Sequence, residues 1–159
     1  MLPYTHAYYD SLPKKRMGAG CLFFNMKNEL LLVKPTYKPG WEIPGGVVED
    51  NESPKQCCQR EVLEEIGLNR EIGRLLALDY NSPSHPKTES LMFVFDGGVL
   101  HASDIAAIQL PTKELSEFAF FSRDDLPETM TAPLKARVLA AWQQYDHGQT
   151  IYLENQQCV

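Results

Sequence analysis

No uninterrupted apolar stretch in the chain approaches the roughly 18 residues that a membrane helix requires, so no membrane partner is expected. Residues 1–10 carry neither a basic leader nor an apolar run, and no secretory signal is read from them. Positive charge is scarce: 15 Lys and Arg stand against 21 Asp and Glu, a net charge of −6. Binding a nucleic acid polymer without sequence preference needs Lys/Arg-rich surfaces that displace counterions, and this balance argues against it. An acidic protein can still handle a phosphorylated small molecule if it recruits a divalent cation. Cysteine is thin as well. Cys21, Cys57, Cys58 and Cys158 form no Cys-x-x-Cys pair, two are adjacent, and no His cluster accompanies them, which argues against a disulfide framework or a zinc site. Small apolar thiols in a reducing cytoplasm are the expectation.

What is present describes one globular domain. The 159 residues are 43% apolar and 23% charged, and a chain of this length buries roughly 68–70% of its unfolded surface. Residues 1–16, punctuated by Pro3 and Pro13, read as an N-terminal arm, 17–153 as a single domain, and 154–159 as a frayed end. Within the domain, 18–24 and 29–34 read as a hairpin, 41–43 as a short strand ended by Pro44-Gly45-Gly46, and 71–80 and 90–100 as extended runs around a Pro-rich loop. Residues 109–117 read as a loop leading into a strand at 118–121, and 134–145 as a helix with Leu134, Val138 and Trp142 on one face. Residues 151–153 add an edge strand. Strands interleaved with two longer helices predict an α/β fold, a mixed sheet between helices.

The helix at 54–66 has the clearest boundaries. Ser53 and Gln56 form a capping box, Pro54 suits the first turn, and Gly67 suits a left-handed stop. Its apolar stripe is Cys58, Val62 and Ile66. At about 100° per residue, Glu61, Glu64 and Glu65 share another face. Like charges at this spacing cost about 0.2–0.5 kcal/mol per pair. Two readings follow: a solvated acidic face, or oxygen ligands for a hard cation such as Mg²⁺ or Mn²⁺.

The residues around those carboxylates carry a longer pattern: Gly46, five residues, Glu52, seven residues, then Arg60-Glu61-Val62-Leu63-Glu64-Glu65-Ile66-Gly67-Leu68. This resembles the complete signature of the Nudix hydrolase family. Seven fixed residues at ordinary usage, with two aliphatics, would coincide by chance less than about once in ten million trials. The resemblance covers about residues 17–150 and implies a Nudix fold. It implies that Glu61, Glu64 and Glu65, with the Gly45 carbonyl, bind Mg²⁺ or Mn²⁺, that Arg60 and Glu52 brace the loop against the helix, and that Gly46 lets the chain turn beneath the metals. It also implies hydrolysis within the pyrophosphate of a nucleoside diphosphate linked to another group. The proton acceptor is left between Glu61 and two later carboxylates, Glu114 and Glu117.

Other side chains keep two readings. Lys34 and Lys38 either touch phosphate or solvate an edge, and Tyr37, Trp41 and Tyr80 either stack a base or pack. Cys57 reads as a small spacer, and the four His as surface residues. Pro83 lies where relatives that cleave ADP-ribose tend to carry a proline, which favours an ADP-sugar-like substrate over a modified nucleoside triphosphate. A non-catalytic nucleotide-binding module is the third reading, and a homodimer is left open.

Overall fold

A computed structural model describes residues 5–159. In chain order its elements are α1 (His6–Ser11), β1 (Arg16–Asn25), β2 (Leu30–Pro35), β3 (Gly45–Val47), α2 (Pro54–Ile66), β4 (Leu75–Asn81), β5 (Ser90–Leu100), α3 (Ala102–Ala106), β6 (Leu115–Phe121), α4 (Ala132–His147), β7 (Ile151–Glu154) and β8 (Gln157–Cys158). Eight strands form one mixed sheet in the order β6-β2-β1-β5-β4-β7-β8, with β3 pairing β1 beside that path. The expected α/β architecture is present. No helix among the described residues is long and apolar enough to cross a membrane.

Strand β1 organises the sheet. It runs parallel to β5 along its whole length, and its other edge is divided: β3 pairs with Gly18–Gly20, and β2 pairs at Phe24. Successive side chains point to opposite faces. Ala19, Cys21 and Phe23 therefore join the core under α2, whereas Leu22 and Phe24 join the core under α4. From the helices, Cys57, Cys58, Val62 and Ile66 close the first core, and Val138, Ala141 and Trp142 close the second. Each aliphatic or aromatic side chain buried in this way contributes about 1.5–3 kcal/mol.

The start and stop of α2 follow the sequence reading. The Ser53 hydroxyl accepts the Gln56 N–H at 3.2 Å, the Gln56 side-chain Oε1 accepts the Ser53 N–H at 2.9 Å, and Gly67 ends the helix at φ 72°. Four expectations are corrected. Residues 41–43 make only a bridge from Glu42 to Val33, and the strand lies instead at Gly45–Val47. Two residues without side chains can lie flat on β1, where a Cβ on Gly45 would stand 2.3 Å from the Ala19 carbonyl oxygen. The expected loop over 109–117 ends early, because β6 begins at Leu115 and pairs with β2 through Lys34↔Glu117. Residues 71–74 are not strand, and β4 starts at Leu75. The end at 154–159 is not frayed: β8 folds back on β7 and Gln156 bonds to β4. Of the N-terminal arm, 1–4 lie outside the described residues. The rest carries α1 and is tied down by a Lys15–Glu89 ion pair at 2.6 Å and an Arg16–Thr88 hydrogen bond at 3.1 Å.

Candidate active site

Gly45 and Gly46 of β3 and the last two turns of α2 meet at Glu61 and Glu65. A Cβ on Gly46 would stand 2.1 Å from Glu61 Oε1, so only glycine leaves room for that carboxylate. The Gly45 N–H donates to Glu65 Oε2 at 2.9 Å. Arg60 ties β3 and the loop after it to the helix. Its Nε and Nη2 grip both oxygens of Glu52 at 2.8 and 3.0 Å, and Nη2 also donates to the Val47 carbonyl at 3.2 Å. Its Nη1 donates to Glu61 at 2.9 Å and to Glu64 at 3.0 Å. Cys57 is buried beneath, its thiol donating to the Gly46 carbonyl at 3.7 Å, so the expected spacer is a packed core residue.

Electrostatics separate these acids. The Arg60 guanidinium, together with the Glu49 N–H, holds the Glu52 carboxyl down at about 2. Burial raises Glu61 above the usual carboxylate range, against the opposing pull of Arg60. Burial pushes Glu65 up to about 8, helped by Glu61, Glu42 and Glu114, while the Gly45 N–H works the other way. Negative charge is in surplus here.

Among the described residues no three Asp, Glu, His or Cys side chains converge as a ready-made metal cage. Arg60 Nη1 holds Glu61 and Glu64, and Gly45 holds Glu65. The donor chemistry nonetheless fits a hard divalent cation: the oxygens are all carboxylate or carbonyl, and two of the acids are driven toward neutrality by burial and mutual repulsion.

Bordered by β3, a cleft of about 230 Å³ opens over β1 and β5 toward α4, with Met17, Met92 and Phe93 among its walls and Arg16, Glu42 and Arg137 supplying charge. Lys38 also reaches it, paired to Glu42 at 2.7 Å. Lys34 and Trp41 do not line it. Lys34 pairs with Glu117 at 2.8 Å with its ammonium 5.5 Å from the Trp41 ring, and Trp41 packs edge-on against Phe121. Glu117 is thus a strand residue with a lysine partner rather than a loop carboxylate. Glu114 ends the turn before β6, and its charge acts on Glu65. Tyr37 is exposed, Tyr80 donates to Glu89, and none of the four His lines the cleft.

Two contributors escaped the sequence reading. Glu42 stands three residues before Gly45, and nothing in its neighbourhood marks it apart from the glycines that follow. Arg137 had a readable sign: it interrupts the apolar face formed by Leu134, Val138, Ala141 and Trp142.

A double-glycine segment seated on a carboxylate helix, closed by an Arg–Glu brace, defines the Nudix class, and the Nudix domain model matches residues 14–142. The chain belongs to the Nudix family. It is 38% identical over 85 residues to diphosphoinositol polyphosphate phosphohydrolase 2 of Rattus norvegicus, across 53% of this chain and 48% of that protein. The chain spans about half the length of the curated relatives it matches. Among solved structures, a MutT protein from Methanosarcina mazei Go1 superposes with a TM-score of 0.66 at 27% identity, covering 87% of this chain and 98% of that one. A UDP-X diphosphatase superposes with a TM-score of 0.71 at 25% identity, covering 90% and 68%.

Proposed function

We propose that this protein is a divalent-metal-dependent pyrophosphohydrolase that cleaves within the diphosphate of a nucleoside diphosphate sugar or similar compound. The observation that carries the reading is the Gly45-Gly46 segment, which contacts Glu61 and Glu65 and also forms part of the wall of the cleft. In this reading Glu61, Glu64, Glu65 and the Gly45 carbonyl hold Mg²⁺ or Mn²⁺. When bound, such an ion supplies positive charge to the phosphate oxygens and acidifies the attacking water. Arg60 and Glu52 keep the 46–52 loop and the helix in register. Glu114 is our candidate proton acceptor, because it sits on a turn within electrostatic reach of Glu65 and has no ion-pair partner among the described residues. Glu117, engaged by Lys34, is the weaker choice.

The expected adenine rests on Pro83, which is exposed on the loop before β5 and is not part of the cleft wall, so we leave adenine out of the proposal. A highly phosphorylated inositol, as the name of the rat relative suggests for that protein, needs many unpaired cations. Here Lys38 already faces Glu42, and Arg137 faces Asp79. Buried thiols at 21, 57 and 58 suit the reducing cytoplasm expected for it.

The test is a phosphate-release panel of nucleoside diphosphate derivatives and inositol pyrophosphates with Mg²⁺ or Mn²⁺. Turnover of a nucleoside diphosphate sugar that stops in EDTA and returns with either ion is the expected result. Glu114→Gln should lower kcat about 10²–10⁴-fold with metal affinity retained. Turnover that persists in chelator, or no hydrolysis across the panel, overturns the reading.

A further inference from the structure

Arg137 is 6% exposed, yet it sits in the wall of the cleft. Arginine is almost never buried without a partner, and this one is clamped. Its Nε donates to Asp79 Oδ2 at 2.7 Å, and its Nη2 donates to Asn81 Oδ1 at 3.1 Å. Asp79 is fully buried and is itself saturated: the Gln156 N–H donates to its Oδ1 at 3.1 Å and the Gln156 side-chain amide to its Oδ2 at 2.9 Å. That amide also donates to Asn81 at 2.6 Å. Helix α4, strand β4 and the β7–β8 hairpin thus fix one guanidinium from three directions. Its third nitrogen, Nη1, makes no hydrogen bond to any described residue.

The cleft that Arg137 borders is mostly apolar, with Arg16, Lys38 and Glu42 its other charged side chains. Leu134, Met17, Met92 and Phe93 line it. Gly18 forms part of the floor, and a Cβ there would stand 2.8 Å from the Met92 Cε, so a larger residue would fill the slot. Asp79 neutralises Arg137, which leaves a fixed donor with little net charge. Such a donor suits a neutral acceptor better than a phosphate. A guanidinium offers only N–H groups. Guanine presents adjacent acceptors at O6 and N7, and uracil presents a carbonyl, whereas adenine sets an amino donor beside its N7 acceptor, where guanine has O6.

We propose that Arg137, held by Asp79, Asn81 and Gln156, is a specificity-determining residue that reads an acceptor edge of the substrate's nucleobase and so selects guanine or uracil nucleotides over adenine nucleotides. The proposal rests on the nucleotide pyrophosphohydrolase reading above and adds the base to it. Glu61 and Glu65, in contact with the Gly45-Gly46 part of the cleft wall, then act with Glu64 on the diphosphate, while Arg137 orients the base.

Two measurements on the full chain separate the ideas. Calorimetry with GMP, UMP and AMP in EDTA reads the base subsite without any reaction. Steady-state kinetics with GDP-, UDP- and ADP-linked sugars in Mg²⁺ reads catalysis. The wild type should bind GMP or UMP at least about tenfold more tightly than AMP. Arg137→Lys, which keeps the charge beside Asp79 but removes the fork, and Gln156→Ala, which loosens the clamp, should erase that preference. Both should raise KM for the favoured sugar nucleotide by about 10–100-fold with kcat within about threefold, a split that general loosening of the fold does not produce. Equal or weaker binding of GMP and UMP relative to AMP by the wild type, or an undiminished preference in folded Arg137→Lys, overturns the proposal. If a variant does not fold, the wild-type comparison decides by itself. Base-selective binding without hydrolysis of any sugar nucleotide would sink the hydrolase reading and leave the base reading standing. Hydrolysis without base preference does the reverse.

Discussion

Each of the two long helices that cover the sheet sets one arginine toward it, and the two are set differently. Arg60 on α2 is partly exposed and touches three carboxylates, those of Glu52, Glu61 and Glu64. Arg137 on α4 is buried and touches one carboxylate, with neutral amides completing its surroundings. The first neighbourhood keeps excess negative charge that a cation from solution can meet. The second is balanced, and its remaining hydrogen-bonding capacity is directional rather than electrostatic. In our reading the first neighbourhood serves charged phosphates and the second an uncharged ring.

The sharpest way to break this contrast is to unbalance the second site. Asp79→Ala leaves Arg137 buried without its counter-charge, and loss of one partner from a buried pair costs about 3–5 kcal/mol. Chemical denaturation should show that loss; a change under about 1 kcal/mol would mean the pair is effectively solvated. Arg60→Ala should cost less, about 2 kcal/mol, between the values for exposed and buried pairs. It should also lower turnover, because Glu61 and the 46–52 loop lose their common anchor. A large fall in turnover with unchanged unfolding would make Arg60 a catalytic group instead.

Acid titration separates the sites more finely. With Glu52 held at about 2 in the fold against an ordinary value near 4.5, its contribution is present above about pH 4.5 and is lost as the pH falls toward 2. The melting-temperature lead of wild type over Glu52→Gln should therefore shrink across that window and stay constant above it. The smallest effect is expected from replacing both members of the buried pair. Asp79→Leu with Arg137→Met should leave stability within about 1 kcal/mol of wild type, since apolar residues of similar size often match a buried ion pair. A loss as large as that of Asp79→Ala alone would show that Asn81 and Gln156 depend on the charges.

Local features of α2 were readable because they act over three or four residues: the Ser53–Gln56 capping box, the Gly67 stop and the carboxylate face all depend on neighbours along the chain. The α/β architecture was readable for the same reason, from strand and helix periodicities. What was missed depends on distant partners. Strand β6 begins at the polar segment Leu115-Ser116-Glu117 because β2 supplies its hydrogen bonds, and no local apolar pattern announces it. The terminal hairpin stays ordered because Gln156 finds Asp79, 77 residues away in sequence. Lys34 and Trp41, for which substrate contact was one of two readings, meet Glu117 and Phe121 across the sheet. Arg137 shows both limits: its place on an apolar helix face was visible, but the carboxylate that makes burial tolerable lies on another strand.

The cysteine distribution gives this molecule a natural labelling handle. Cys21, Cys57 and Cys58 are enclosed in the core, and burial pushes the Cys57 thiol up to about 12 and raises Cys21 as well. Cys158 alone among the four is exposed, two residues beyond Gln156. A maleimide dye added to the native wild-type protein therefore attaches at one position, with no need to remove other thiols. That position is on the hairpin that steadies Arg137, so its fluorescence lifetime or polarisation gives an optical record of how that end of the molecule responds as the cleft fills.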